Sequence, residues 1–153
     1  MTDTYRPTRR LTVEVVGRPA PQGSKRLGEH GQMREQSAYL PAWRAAVKLA
    51  VYERYKEIGV RPADLPMFVG PVRVAVAFYL SDATRVDGPP DLDKLLRSTL
   101  DALGGSKSGA RVFEDDSRVV WVQACKVAVP DTASTGADIE VWPHQTERGL
   151  DTW

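Results

Sequence analysis

The chain has 153 residues, 42% hydrophobic and 27% charged, which is an ordinary balance for one globular domain. Its 21 basic and 20 acidic side chains leave a net charge of +1, so total charge decides nothing about nucleic-acid binding and only the distribution can. A single cysteine, Cys125, excludes an internal disulfide and a cysteine-rich zinc site. No apolar run reaches the roughly 18–20 residues that a bilayer span needs. The opening MTDTYRPTRR lacks the apolar stretch of a signal peptide. These features predict a cytoplasmic protein with no membrane partner and no organic cofactor.

Residues 1–10 are polar and read as a loose tail. Leu11 to Val16 alternates as a strand, with Leu11, Val13 and Val15 on one face. A long Pro/Gly/polar stretch, GRPAPQGSKRLGEHGQMR, follows, and a loop of that length is usually functional or mobile. It carries Arg18, Lys25, Arg26 and Arg34. Leu40, Trp43, Val47, Ala50, Val51, Tyr55 and Ile58 then recur at helical spacing, with Pro41 in the first turn and Gly59 and Pro62 at the end. PVRVAVAFYL at 71–80 is the clearest strand. A second helix is predicted over 91–103, burying Leu92, Leu95, Leu96, Thr99, Leu100 and Leu103, and stopped by Gly104 and Gly105. GGSKSGARVFEDD reads as a flexible connection or a short hairpin. Arg118 to Val129 is apolar on both faces except for Gln123 and Lys126, which places it centrally in a sheet or beneath a partner subunit. A short strand at 138–142 and a loose tail at 143–153 complete the chain. The sum is one α+β domain over 1–153, with a mixed sheet and two helices.

Two acidic clusters carry the chemistry. Asp91-Leu92-Asp93 follows Pro89-Pro90 at a helix start, where Asp91 is an expected N-cap. A cap residue is not helical, so its carboxylate can swing toward Asp93 and share a cation. The plain alternative is that both acids complement the helix dipole. Glu114-Asp115-Asp116 stands at the entrance to the long apolar strand, and adjacent carboxylates repel unless solvated, paired or cation-bound. A solvated hairpin tip is the plain alternative. One helix joins the clusters, which would allow them to share one end of the sheet. Mg²⁺ favours such oxygen donors, and two ions could activate water and stabilise a leaving phosphodiester oxygen. Arg97 lies four residues from both Asp93 and Asp101, either as a salt-bridge ladder or as a cation offsetting phosphoryl charge. Basic residues gather at 6–10, 18–34 and 94–97. His30 and His144 are isolated. Trp43, Trp121 and Trp142 are expected in the core.

PDLDKLLRSTLDAL followed by VFEDDSRVV resembles the signature of the RusA-like Holliday junction resolvases: a D-L-D-N-L-x-K helix start, a D-A-L helix end and a later D-D turn. The early strand and GRPAPQGSKR resemble phage and prophage members, and the likeness runs over about 11–129. It implies a homodimeric endodeoxyribonuclease that uses Mg²⁺ or Mn²⁺ and makes paired nicks in four-way DNA junctions. The family's essential aspartates fall on Asp91, Asp93 and Asp116, with Asp115 a further candidate ligand. Its essential lysine falls on Arg97 and its usual asparagine on Lys94; both are departures that bear on catalytic efficiency. Arg18, Lys25 and Arg26 are the candidates to grip the DNA backbone. Two other outcomes are open: a nuclease for flaps or replication forks, and a branched-DNA-binding protein that has lost catalysis.

Overall fold

The computed structural model describes residues 9–23, 26–27, 33–34, 38–81, 86–105 and 109–144. Strand β1 (Leu11–Val16) is followed by a two-stranded ribbon, β2 (Arg26–Leu27) and β3 (Met33–Arg34), then helix α1 (Leu40–Ile58). Strand β4 (Val72–Leu80), helix α2 (Leu92–Leu103), and strands β5 (Val119–Ala128) and β6 (Gly136–Pro143) complete the order. The main sheet runs β1-β6-β4-β5, antiparallel except for the parallel β4–β5 pair. This is the mixed sheet with two helices that the patterning predicts. Among the described residues, no helix is long and apolar enough to cross a membrane.

One face of the sheet carries the core. In β1, Leu11, Val13 and Val15 are buried while their neighbours are exposed. In β4, Val72, Val74, Val76 and Phe78 are buried, and Phe78 meets the ring of Trp43 from α1. The α1 stripe Leu40, Trp43, Val47, Val51 and Tyr55 is buried, and Gly59 closes the helix with a left-handed φ of 78°. A side chain there would pay the left-handed penalty that glycine escapes.

Helix α2 is rolled relative to the predicted stripe. Its buried residues are Leu95, Ser98, Thr99, Ala102 and Leu103, while Leu92, Leu96 and Leu100 are only partly buried. The roll follows from polar pairing. Ser98 Oγ donates to the Ala20 carbonyl at 2.6 Å, and Thr99 Oγ1 accepts from Trp43 Nε1 at 3.1 Å. Both hydroxyls are therefore buried with partners, which removes most of the cost of burying them.

Three further expectations are corrected. Strand β5 is not central: among the described residues it pairs only with β4 and forms an edge of the sheet. The described part of the connection after α2, from Gly109 onward, is packed and not loose. Ala110, Val112 and Phe113 are buried, and Phe68 and Met67 donate to the Val112 and Arg111 carbonyls. The Tyr55 hydroxyl also donates to the Ala110 carbonyl at 3.1 Å, and burial pushes that phenol up from its ordinary range. Trp43 is core, but Trp121 and Trp142 are half-buried and meet edge-on across Arg73, on the sheet face that the helices leave open. Apolar alternation reports which faces are covered, not how many strands flank a strand, so β5 could not be placed from its composition.

Candidate active site

Asp91 is the N-cap of α2, with extended backbone (φ −69°, ψ 137°), but its side chain makes no capping hydrogen bond. Its carboxylate is exposed and lies 3.5 Å from the Lys94 amine. Asp93, in the first turn, is also exposed. The loop that leads to this pair is anchored from the sheet: Lys126 Nζ donates to the carbonyls of Gly88 at 2.8 Å and Pro90 at 3.0 Å. The early loop is anchored to it as well, since the Gln22 amide donates to the Lys94 carbonyl at 3.0 Å. The start of α2 is therefore positioned from two directions, by residues remote in sequence.

The second cluster resolves into three separate roles. Glu114 pairs with Arg118 at 3.3 Å and accepts from the Gly70 amide. Asp115 caps the short 3-10 turn Asp116–Arg118 by accepting from the Ser117 amide at 3.0 Å. Hydrogen bonds from Ser117 hold the Asp115 carboxyl below its usual range. Asp116 alone turns toward another acid. A Cβ placed on Gly104 would meet its carboxylate at 2.9 Å, which puts Asp116 over the C-terminal end of α2. Desolvation, a hydrogen bond to the Asp101 carboxyl and the charges of Asp101 and Asp115 together push Asp116 up to about 6. Asp101 in turn lies 3.4 Å from Arg44, whose guanidinium also donates to Gln22.

The clusters consequently do not share an end of the sheet. Twelve residues of α2 separate them, about 18 Å of helix. The reason is topological: β4 and β5 are parallel, so α2 must run the full height of the sheet between them. The oxygen donors suit a hard cation. Yet among the described residues no three acidic, histidine or cysteine side chains come together to hold one. Within one chain, Asp91 and Asp93 stand at the start of α2 and Asp116 lies over its other end.

The predicted cations divide as well. Arg97 is exposed and, among the described residues, makes no ion pair, so the ladder with Asp93 and Asp101 does not form. Arg18 is exposed, with its guanidinium 3.8 Å from the centre of the Tyr39 ring. Lys25 and His30 lie outside the described residues, and Arg26 is described in its backbone alone. His144 Nδ1 accepts from Arg73 at 3.0 Å, a structural contact. The sequence reading missed Lys126 and the Asp101–Asp116 contact. A lysine in an otherwise apolar strand was the available signal for the first.

The described residues form an α+β domain with two exposed carboxylates at an anchored helix start. Comparison with family models gives the family. The chain matches the model described as "Endodeoxyribonuclease RusA" over residues 17–141, most of its length, and belongs to that family. Comparison with curated proteins gives no match.

Proposed function

We propose that this protein is a homodimeric, Mg²⁺-dependent endonuclease that resolves four-way DNA junctions by paired nicks. The observation that carries the reading is the exposed Asp91–Asp93 pair at the anchored start of α2, in a chain of the RusA endodeoxyribonuclease family. Asp91, Asp93 and Asp116 are the carboxylates assigned to the cutting chemistry, and Asp115 is occupied as a cap. Arg97 is assigned to offset charge on the phosphoryl group, because it is exposed and unpaired among the described residues. Lys94 is the second candidate, although its amine already lies by Asp91. Arg18, Lys25 and Arg26 are assigned to the DNA backbone, where each phosphate contact releases counterions.

The test is binding and cutting of a synthetic four-way junction by wild type and Asp93→Asn, with and without Mg²⁺. Cutting by wild type only with Mg²⁺, together with binding but no cutting by Asp93→Asn, is the expected result. Wild type that binds without cutting at any Mg²⁺ or Mn²⁺ concentration makes the chain a branched-DNA-binding protein. Faster cutting of flaps or forks than of junctions makes it a nuclease for those substrates. Full activity in Asp93→Asn removes the proposed site.

A further inference from the structure

Side chains from three parts of the chain meet beside the acidic end of α2. Arg44 reaches there from α1, and its place is fixed because its neighbour Trp43 is buried and donates to Thr99 of α2 at 3.1 Å. Arg44 Nη2 donates to Asp101 Oδ2 at 3.4 Å and to the side-chain oxygen of Gln22. Gln22 is itself laid against α2. Its amide donates to the Lys94 carbonyl at 3.0 Å, and two residues earlier the Ala20 carbonyl accepts from Ser98 Oγ at 2.6 Å. Lys94, Ser98 and Asp101 stand four and three residues apart, which places them on one face of the helix. The segment Ala20–Gln22 therefore lies along that face, and Gln22 and Arg44 carry the contact on to Asp101.

An acid at this place has an electrostatic cost. Asp101 is in the last turn of α2, where the helix dipole is negative, and it hydrogen-bonds to the Asp116 carboxyl. The Arg44 guanidinium supplies the opposing charge. As an ion pair it contributes little to folding, because both side chains are about a third exposed, 35% and 34%. Arg44 Nε is moreover buried without a hydrogen-bond partner among the described residues, a cost that packing alone does not explain. The neighbouring acids are held by other groups, Glu114 by Arg118 and Asp115 by Ser117, so Asp116 is the acid of that cluster that takes its place from Asp101.

We infer that Arg44 and Gln22 are positioning residues for DNA cutting: Gln22 orients Arg44, Arg44 offsets the charge of Asp101, and Asp101 so restrained holds the Asp116 carboxylate over the end of α2. This rests on the assignment of Asp116 to the cutting chemistry above. The segment that carries Gln22 leads directly toward Lys25 and Arg26, so the same strap joins the basic loop to both ends of α2.

The experiment is a double-variant cycle read in single-turnover cutting of a four-way junction in Mg²⁺, with junction affinity and urea unfolding measured on the same proteins. Arg44→Met keeps much of the stem and removes the charge. It should lower the cutting rate about 10–100-fold, the scale of misplacing a reacting group by up to an ångström, with junction affinity changed less than about 2-fold. In the Asp101→Asn background there is no charge to offset, and the same change should cost under about 3-fold, since residues in contact do not act additively. Arg44→Lys keeps the charge without the planar fork and should recover part of the rate. Gln22→Ala should lower the rate about 3–10-fold with the same dependence on Asp101, and it carries the test if Arg44→Met does not fold. An unchanged rate in Arg44→Met, or equal penalties in both backgrounds, would overturn the inference. So would a loss confined to junction affinity, which would put Arg44 on the DNA, or an Asp101→Asn chain that does not cut at all, which would place Asp101 in the chemistry itself. A wild type that does not cut, or a wild-type rate in Asp116→Asn, would instead remove the reading on which the inference rests.

Discussion

The two ends of α2 carry similar residues under opposite conditions. At its start, Asp91 and Asp93 sit where the helix dipole is positive, are exposed, and have Lys94 beside them. At its end, Asp101 and Asp116 hydrogen-bond to one another where the dipole is negative, with Arg44 the nearest cation at 3.4 Å from Asp101. Acids at the first end cost little and need no functional explanation by themselves. At the second end Asp116 is desolvated, hydrogen-bonds to the Asp101 carboxyl and lies near the charges of Asp101 and Asp115, which is why it holds its proton up to about pH 6. A position that is unfavourable in the folded chain is a stronger pointer to function than one that favours folding anyway. The difference also separates two jobs: the first end is rigidly anchored from the sheet, and the second is electrostatically unsatisfied.

The largest expected effect tests whether the cations of the first end act in cutting. Arg97→Ala should lower the single-turnover cutting rate about 10²–10³-fold at saturating Mg²⁺ and enzyme, the scale of losing one transition-state donor. Lys94→Ala should cost less, because Lys94 is already directed at Asp91. The reverse order would move the role to Lys94. Wild-type rates in both would remove the helix cations from the mechanism and leave them as solvated charges, each contributing under about 1 kcal/mol to stability.

Much of the first end was legible in the sequence, and little of the second. Pro89-Pro90-Asp91 marks a helix start by local chemistry, since prolines cannot continue a strand and aspartate is a favoured cap. Strands β1 and β4 were legible because one face is covered by helices. The contact of Asp116 with Asp101 depends instead on a tight return of the chain. A side chain at Gly105 would collide with the Glu114 carbonyl, and one at Gly109 with the Gly104 carbonyl. Those glycines read as loop signals, while they in fact permit close backbone packing. The edge position of β5 was illegible for another reason. Sequence patterning records apolar faces, and a face covered by a neighbouring strand's helix resembles one awaiting a partner.

A smaller effect is expected where the first end is anchored. Lys126→Met keeps the stem but leaves the Gly88 and Pro90 carbonyls without their ammonium donor. Urea unfolding should show a loss of about 1–2 kcal/mol, the usual range for hydrogen bonds from a charged group. Cutting should fall several-fold through misplacement of Asp91, with junction affinity little changed. Equal stability and unchanged cutting would mean that the loop is held by its prolines alone.

The smallest effect concerns the second end, and its sign is fixed by linkage. The folded chain holds the Asp116 proton up to about 6, against an ordinary value of 3.8, so between those values it binds more protons than the unfolded chain. Stability on this account is complete below pH 3.8 and falls as pH rises through 6. Asp116→Asn mimics the protonated acid and should abolish that fall. In EDTA, the variant and wild type should unfold at the same urea concentration near the ordinary carboxyl pKa. The variant should then gain steadily and level off above the raised pKa. Because Asp116 is exposed, solvent screening should keep the plateau under about 1 kcal/mol, and added salt should shrink it. A difference that does not vary with pH would show that the cost of this end is packing, not charge. Asp101→Asn provides the cross-check: it should gain in the same pH window, and the double variant should gain less than the sum, because either change alone relieves the shared repulsion.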